Sequence, residues 1–439
     1  MPATTYSSVP FKHLPESEIS KPNVAKKVLP YGTLVLVCLA SMLNQADRTV
    51  MPLAMVSIAE DFKWSRMQQG CAISAFSLGG IPMQVPSGYV SVRHDPLHVL
   101  FGAVVGWSSV TLLTPVVVGV GSFRGFVACR VALGAFESLC YPACMQLLML
   151  RTPLEWRTCA SAGLLAGGSI GHLVAIVISP LLQNWAMTFT FFGAAGFVWC
   201  SMCAIYAVHL HISSPQKNEL TQLTQEPECE PESLEGGVVM SRTLVTPPLI
   251  AICVAHFSNN WTSYTLAAWL PTYFHQVLGV PNKKLYIMAL PYLVQAVAGL
   301  SVGVCSAFLV ERGKCSVLGL RRGATAVGLL GPAVLLCVFA SLRRTNVAIA
   351  TMALIYLFGS ATSSGYMANH ADLFPAHAGL TFSIASFFGS LPGLFTGPLT
   401  AQIVGSHSDT WWRVFYLAAA VNTVGAVSYV TFAKASRMF

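Results

Sequence analysis

The chain has 439 residues, of which 54 % are hydrophobic and only 10 % are charged, and its mean hydropathy is +0.62. Soluble domains carry roughly 25 % charged residues, so this composition excludes an ordinary soluble protein and indicates an integral, multi-pass membrane protein. The net charge of +8 is explained by basic residues in predicted loops and tails. Because these residues form no basic stripe, we expect the lipid bilayer and no nucleic acid as a partner.

Windows of about 20 apolar residues, bounded by charges or by Pro, Gly and Asn clusters, predict twelve transmembrane helices. Interior glycine and proline do not argue against them, since neighbouring helices satisfy the freed backbone groups. The expected fold class is therefore an all-α membrane protein. The windows lie at 31–58, 67–92, 97–119, 123–150, 157–183, 186–208, 246–278, 285–311, 317–341, 345–368, 377–405 and 410–433.

A polar segment rich in glutamate and proline divides these windows into two sets of six. Parallel six-helix repeats place a substrate site between the halves near the middle of the membrane. The predicted organisation is a tail at 1–30, an N-terminal bundle at 31–208, an acidic linker at 209–244, a C-terminal bundle at 245–433 and a tail at 434–439.

Basic residues are more numerous in the connections that share a side with both termini. The positive-inside rule then predicts that both termini and the linker are cytoplasmic. The segment before residue 31 has no apolar signal region and carries Glu16 and Glu18, which argue against a plastid transit peptide. The host membrane therefore stays open between plastid, endomembrane and plasma membrane.

Two arginines, Arg48 and Arg130, fall inside predicted helices. An arginine at the bilayer centre costs at least ~3 kcal/mol, so each should face a cavity or a partner. Glu137 follows Arg130 by seven residues and Tyr141 lies four residues further on, which places all three on one face of a continuous helix. Arg130 and Glu137 would be about 10 Å apart along the axis. The pattern predicts one wall of a polar cavity.

The charged residues of this wall suit two different roles. An unpaired guanidinium offers a permanent charge and a bidentate fork to a carboxylate or phosphate. A buried glutamate suits ion coupling, because burial favours its neutral form and a nearby cation favours its charged form. The alternative is a structural ion pair, formed by Arg48 with Asp47 or with Glu137. Asp47 is a second candidate for ion coupling.

Polar residues of other predicted helices extend this set of candidates. Asn259, Asn260 and Tyr264 could complete a substrate site from the second half, or they could form interhelical hydrogen bonds. His172, which lies among glycines, is a candidate proton site, or a histidine satisfied by a neighbouring carbonyl. Asn369 and Asp372 lie at the end of the tenth predicted helix, where Asp372 could cap the next segment or form part of a gate.

The thirteen cysteines lie mostly inside predicted helices, so we read them as small apolar fillers and expect no metal. No nucleophile elbow or metalloenzyme motif falls where it could work, and the sequence therefore does not indicate an enzyme. We expect no cofactor other than a coupling ion, Na⁺ or H⁺.

Six segments of the chain resemble the anion:cation symporter family of the major facilitator superfamily. That family contains vesicular glutamate transporters, the lysosomal sialic acid transporter and sodium-dependent phosphate transporters, and the wording here is most similar to its plant and algal branch. The segments are NQADRTVMPLAM (44–55), RVALGAFESLCYPAC (130–144), the P-x-E-x-R connection (153–157), SPLLQNW (179–185), HFSNNWTSYTLAAWLPTYFHQVLG (256–279) and MANHADLFPAHAG (367–379).

The resemblance implies two six-helix bundles, contact of Arg48 and Arg130 with the anion, and a role of Glu137 in H⁺ or Na⁺ coupling. Arg157, in the matching connection, becomes a further gating candidate. Vesicular glutamate transporters carry an arginine where this chain has Asn259 and a histidine where it has Ile73, which disfavours glutamate as the substrate.

The expected function is secondary active transport of an anion by alternating access, carried out by a monomer. Inorganic phosphate coupled to Na⁺ or H⁺ ranks ahead of small organic anions such as ascorbate, glutamate or sialic acid, which could be driven by the membrane potential or by protons. A facilitative uniporter and a non-transporting receptor with the same fold are the remaining alternatives.

Overall fold

The computed structural model describes residues 31–152, 157–182, 184–213, 246–373, 378–405 and 408–436. Within these ranges the chain forms fifteen α-helices and no β-strand. The helices are α1 (Tyr31–Asp61), α2 (Arg66–Arg93), α3 (Pro96–Gly119), α4 (Phe123–Glu137), α5 (Cys140–Arg151), α6 (Arg157–Ile178), α7 (Trp185–Ser213), α8 (Pro247–Gln276), α9 (Ala289–Glu311), α10 (Val317–Phe339), α11 (Thr345–Gly359), α12 (Asn369–Leu373), α13 (Ala378–Ser390), α14 (Pro392–Val404) and α15 (Trp411–Phe432).

The fifteen helices correspond to the twelve predicted segments because two segments are broken and one short helix is added. The fourth segment is divided into α4 and α5, and Pro142 in the first turn of α5 lacks the N–H that would continue the helix. The eleventh is divided into α13 and α14 at Pro392, the first residue of α14. The short helix α12 follows the tenth segment.

Eight helical segments of the described residues are long and apolar enough to cross a membrane. The predicted segments that do not meet this standard are α1, α2, α8 and the broken pair α13 and α14. These helices also pack against one another across the two halves, α1 against α8 and α2 against α14. The helices α13 and α14 are too short, with 13 residues each. The less apolar character of α1, α2 and α8 fits this position, because residues facing a polar interface between the halves need not be apolar.

Each half is held together by its own helix contacts. In the first half α1 packs on α6, and α2 on α4; in the second, α10 and α8 both pack on α15. A Cβ atom added at Gly79 of α2 or at Gly134 of α4 would overlap the backbone of the other helix. Close approach through small residues is how membrane helices associate, and it fixes α4 against α2.

The two ends of the bundle differ in how the halves meet. We call the end that contains Tyr31, Arg93 and Pro247 the terminal side, and the end that contains Asp61 and Gln276 the far side. On the far side, Leu53 and Ile176 of the first half join a buried apolar cluster of the second half that includes Trp269 and Trp411. The buried clusters nearer the terminal side each belong to one half. The described structure is therefore closed on the far side.

Several predicted boundaries fall on or near residues outside the described ranges. Helix α7 continues to Ser213, past the predicted end at 208. The tail at 1–30, residues 214–245 of the linker region and residues 437–439 lie outside the described residues, so the predicted organisation of these segments stays a prediction. The side chain of Arg157 also lies outside them.

Candidate functional site

A cavity of about 340 Å³ lies between the two halves. Its walls come from α1, α2, α4 and α6 of the first half and from α8, α9, α11 and α14 of the second. The polar and aromatic residues that line it are Gln45, Arg48, Thr49, Phe76, Ser77, Arg130, His172, Asn260, Ser263, Tyr264, Tyr292, Gln295, Tyr356 and Thr396. Its position is the one expected for two packed six-helix halves.

Arg48 and Glu137 form an ion pair at this cavity. Arg48 Nε donates to Glu137 Oε2 at 2.8 Å, and the glutamate side chain is fully buried whereas that of Arg48 is 36 % exposed. Asn44 Nδ2 also donates to the Glu137 carbonyl oxygen at 3.3 Å. The ion pair predicted as the alternative reading is thus present, and Arg48 is not a free guanidinium in this state.

Arg130 lies in the cavity wall with two of its guanidinium nitrogen atoms left open. The residue is 4 % exposed, and its Nε and Nη1 atoms have no hydrogen-bond partner among the described residues. Its guanidinium carbon lies 5.4 Å from the centroid of the Phe76 ring, and that of Arg48 lies 4.9 Å from the same ring. Phe76 therefore holds both cations by cation–π contact. Because Arg130 lies in the cavity wall, an acceptor that enters the cavity could bond these open donors.

Asp47 completes a cluster of four charges. It is 4 % exposed, its Oδ1 has no hydrogen-bond partner among the described residues, and it interacts electrostatically with Arg130 and Glu137. With both acids ionised, the two carboxylates balance the two arginines. If one acid takes up a proton, the cluster gains a net positive charge and attracts an anion more strongly.

His172 lies in the cavity wall and is hydrogen-bonded through one ring nitrogen. Thr49 Oγ1 lies 2.6 Å from His172 Nδ1 and donates to the Gln45 carbonyl oxygen at 2.8 Å. With the Thr49 hydrogen on the Gln45 carbonyl oxygen, His172 Nδ1 is the donor to Thr49 and Nε2 is an acceptor in the neutral ring. The ring also stacks on Tyr292 of the second half at 5.6 Å. The partner is a hydroxyl rather than the carbonyl considered above.

The other predicted substrate contacts lie in different parts of the structure. Tyr264 and Asn260 line the cavity, and Asn260 Nδ2 donates to the Gly389 carbonyl oxygen at 2.8 Å. Asn259 lines a second cavity of about 700 Å³ that shares His172 and Tyr292 with the first. Tyr141 does not line either cavity, and its side chain is 49 % exposed. Its role as a substrate contact therefore stays a prediction.

Two of the predicted gate residues, Asn369 and Asp372, lie on the terminal side of the second half. Arg321 donates to both carboxylate oxygens of Asp372, at 2.7 Å from Nε and 3.3 Å from Nη2, and to the Ser364 carbonyl oxygen at 2.8 Å. Asn369 is fully buried. Asp372 therefore links α12 to α10 within one half.

Sequence reasoning missed the aromatic part of the site. Phe76, Tyr292 and Tyr356 line the cavity, and the tyrosine rings of the second half lie 5.0 Å apart. An apolar or aromatic residue in a membrane helix carries no signal that separates a cavity wall from a lipid-facing surface. The polar hydroxyl groups of the tyrosines were the one feature in the sequence that favoured a cavity wall over a lipid-facing surface.

The chain matches the family model described as Major Facilitator Superfamily over residues 37–397. It is 30 % identical over 386 residues to sialin of Homo sapiens, covering 85 % of this chain and 77 % of that protein. It is 26 % identical over 410 residues to "Sodium-dependent phosphate transport protein 1, chloroplastic" of Arabidopsis thaliana, covering 92 % and 79 %. Among solved structures, a bacterial homolog of the human lysosomal transporter Spinster, in an inward-facing and occupied conformation, has a TM-score of 0.72 at 16 % identity and covers 91 % and 95 %.

Proposed function

The chain belongs to the Major Facilitator Superfamily and, within it, to the anion:cation symporter family, and we propose on this basis that it carries a small anion across a membrane by alternating access. The observation that carries the proposal is Arg130, a buried cation in the cavity wall with two nitrogen atoms that lack partners among the described residues. An anion that enters the cavity would accept the hydrogen bonds that the protein leaves open.

Inorganic phosphate is the first candidate substrate. The Arabidopsis relative named for sodium-dependent phosphate transport supports it, and so does the strength of guanidinium–phosphate hydrogen bonds. Small organic anions are the second candidate, and the sialin relative supports them. A cavity of about 340 Å³ with Tyr264, Tyr292 and Tyr356 in its wall has the size and aromatic lining of a site for a larger molecule.

The four-charge cluster supplies a route to coupling. When Glu137 is ionised, it holds Arg48 Nε at 2.8 Å and the guanidinium is engaged. A proton on Glu137, or a Na⁺ beside it, would weaken this pair and make the Arg48 donors available to an anion next to those of Arg130. Anion and coupling ion would thus bind together. Asp47 and His172 are the other groups that could hold the proton.

The direction of the cycle depends on the orientation in the membrane. With the termini in the cytoplasm, as the loop charges predict, the far-side closure described above corresponds to an inward-facing state. Separation of α1 from α8 on the far side, with approach of the halves on the terminal side, would complete the cycle. Asn369, Asp372 and Arg157 are proposed to act on the terminal side. One chain holds the whole cavity, which supports a functional monomer.

Reconstituted protein tests the proposal directly. Uptake of labelled phosphate into proteoliposomes is measured with an imposed Na⁺ gradient, an imposed pH gradient or neither, and with ascorbate, glutamate or sialic acid as competitors. We expect one gradient to drive uptake, Arg130→Ala to abolish it and Glu137→Gln to uncouple it. Arg124→Ala removes an arginine from the exposed start of α4 and is the matched control. Uptake of an organic anion but not of phosphate would refute the substrate ranking and leave anion transport in place.

A further inference from the structure

A second ionisable pair joins the two halves, far from the cavity charges. His275, at the end of α8, places Nε2 at 2.9 Å from Glu60 Oε1, at the end of α1. The His275 side chain is 27 % exposed and that of Glu60 is 57 % exposed, so water on the far side reaches both. Next to them Asn282 Nδ2 donates to Ser57 Oγ at 3.3 Å, also between the halves.

The other ring nitrogen of His275 faces a fixed acceptor. His275 Nδ1 lies 3.0 Å from the Val280 carbonyl oxygen. That carbonyl belongs to a turn of the same half, in which the Val280 amide donates to the Phe274 carbonyl oxygen at 2.9 Å and Gly279 has a φ of +67°. The contact therefore lies within the second half and does not depend on whether the far side is open or closed.

These contacts fix the number of protons on the pair. A carbonyl oxygen only accepts, so Nδ1 must carry a hydrogen. A neutral ring with its hydrogen on Nδ1 has a lone pair on Nε2, and this lone pair cannot bond an ionised carboxylate, which also only accepts. The 2.9 Å contact thus requires either an imidazolium ring or a protonated Glu60. In both cases the closed pair holds one proton more than the separated neutral histidine and ionised glutamate.

Other charged and titratable groups lie on the elements packed around this end of α8. Asp61 Oδ2 accepts from Trp185 Nε1 at 2.8 Å, and Arg413 lies over the Trp412 ring. Among the described residues, Glu60 is the acid that forms an ion pair with His275. Further charged or titratable groups at this end of the bundle are Lys63, Arg66, Tyr273, Lys283, Lys284, Tyr286, Arg343, Arg344 and Asp409.

We propose that His275 and Glu60 form a proton-binding site on the far side, and that a proton bound there closes this side of the transporter. Glu60 belongs to the first half and His275 to the second, so opening the far side separates them and releases the proton. The proposal rests on the alternating-access function proposed above. It adds a site that senses the pH of the far compartment, separate from the carboxylates that contact the two cavity arginines.

The expected size of the effect follows from linkage. Since closing takes up one proton, the ratio of closed to open protein changes by at most tenfold per pH unit. Low pH on the far side favours the far-side-closed state, and high pH favours opening.

Hydrogen exchange of the full chain in lipid nanodiscs measures this opening. Protection factors, corrected for the intrinsic pH dependence of exchange, are followed for peptides covering 57–64 and 272–284 between about pH 5 and pH 8. In the wild type we expect protection to fall as pH rises, approaching tenfold per unit.

Two variants remove the proton requirement while keeping a contact. In Glu60→Gln the amide can donate to or accept from Nε2, and in His275→Lys the cation is permanent over this pH range. Both should show protection that does not depend on pH. Asp61→Asn, which removes an adjacent acid that bonds within its own half, should behave as the wild type.

A wild-type protection that does not change with pH would overturn the proposal, as would His275→Lys with the wild-type slope. Uptake assays on the same preparations separate this result from the transport proposal. A pH-dependent closure in protein that does not take up phosphate would refute the substrate and leave the proton site standing.

Discussion

Replacing Arg130 should strongly weaken anion binding. Nε and Nη1 of Arg130 have no partner among the described residues, so an anion can gain two charge-assisted hydrogen bonds there. Each such bond contributes roughly 1.5–3 kcal/mol, which together correspond to a loss of about 10² to 10⁴ in affinity for Arg130→Ala. Arg130→Lys keeps the charge but loses the fork of donors, and a loss of roughly 10- to 100-fold is expected.

The assay is the concentration dependence of anion uptake into proteoliposomes, with KM and maximal rate determined for wild type, Arg130→Lys and Arg130→Ala. Thermal unfolding of each variant shows that it is folded, which matters because Arg130 also interacts with Asp47 and Glu137. The expected order of KM is wild type, then lysine, then alanine. A folded alanine variant whose KM stays within a few-fold of the wild type would refute the assignment of Arg130 as the anion contact.

Three further changes probe coupling, packing and the terminal side. Glu137→Gln removes the charge that holds Arg48. Anion exchange between the two sides should persist, whereas gradient-driven accumulation should be lost. Accumulation that survives in this variant would contradict the coupling role. Gly134→Ala places a methyl group against the backbone of α2 and should lower the free energy of unfolding by about 1–3 kcal/mol, as measured by thermal unfolding. The control is Gly102→Ala, whose added methyl group meets no atom within 4 Å and should have little effect. Asp372→Asn leaves Arg321 without its carboxylate. The unfolding temperature should fall by a few degrees, and KM should not change. A raised KM would instead show that this pair contacts the path of the substrate.

The composition and the hydrophobic windows predicted the all-helical membrane fold because each transmembrane segment must satisfy its own backbone in lipid. For the same reason a charge in such a segment is expensive, so Arg48, Arg130 and Glu137 could be selected as site residues from the sequence alone. The motif resemblance pointed to the same three residues. Local patterns carried this information because it concerns single helices and single residues.

Contacts between helices needed the tertiary structure. The packing of α1 on α5, which begins three residues after Glu137, brought Arg48 to Glu137 although 89 positions separate them. The pairing of Glu60 with His275 likewise joins residues of different halves. Such pairs depend on how the helices cross. The helical periodicity of the sequence shows which residues share one face of a helix, but it does not show which helix packs against that face. The sequence therefore determined which residues are too polar for lipid, and only the packed structure decided which of them meet.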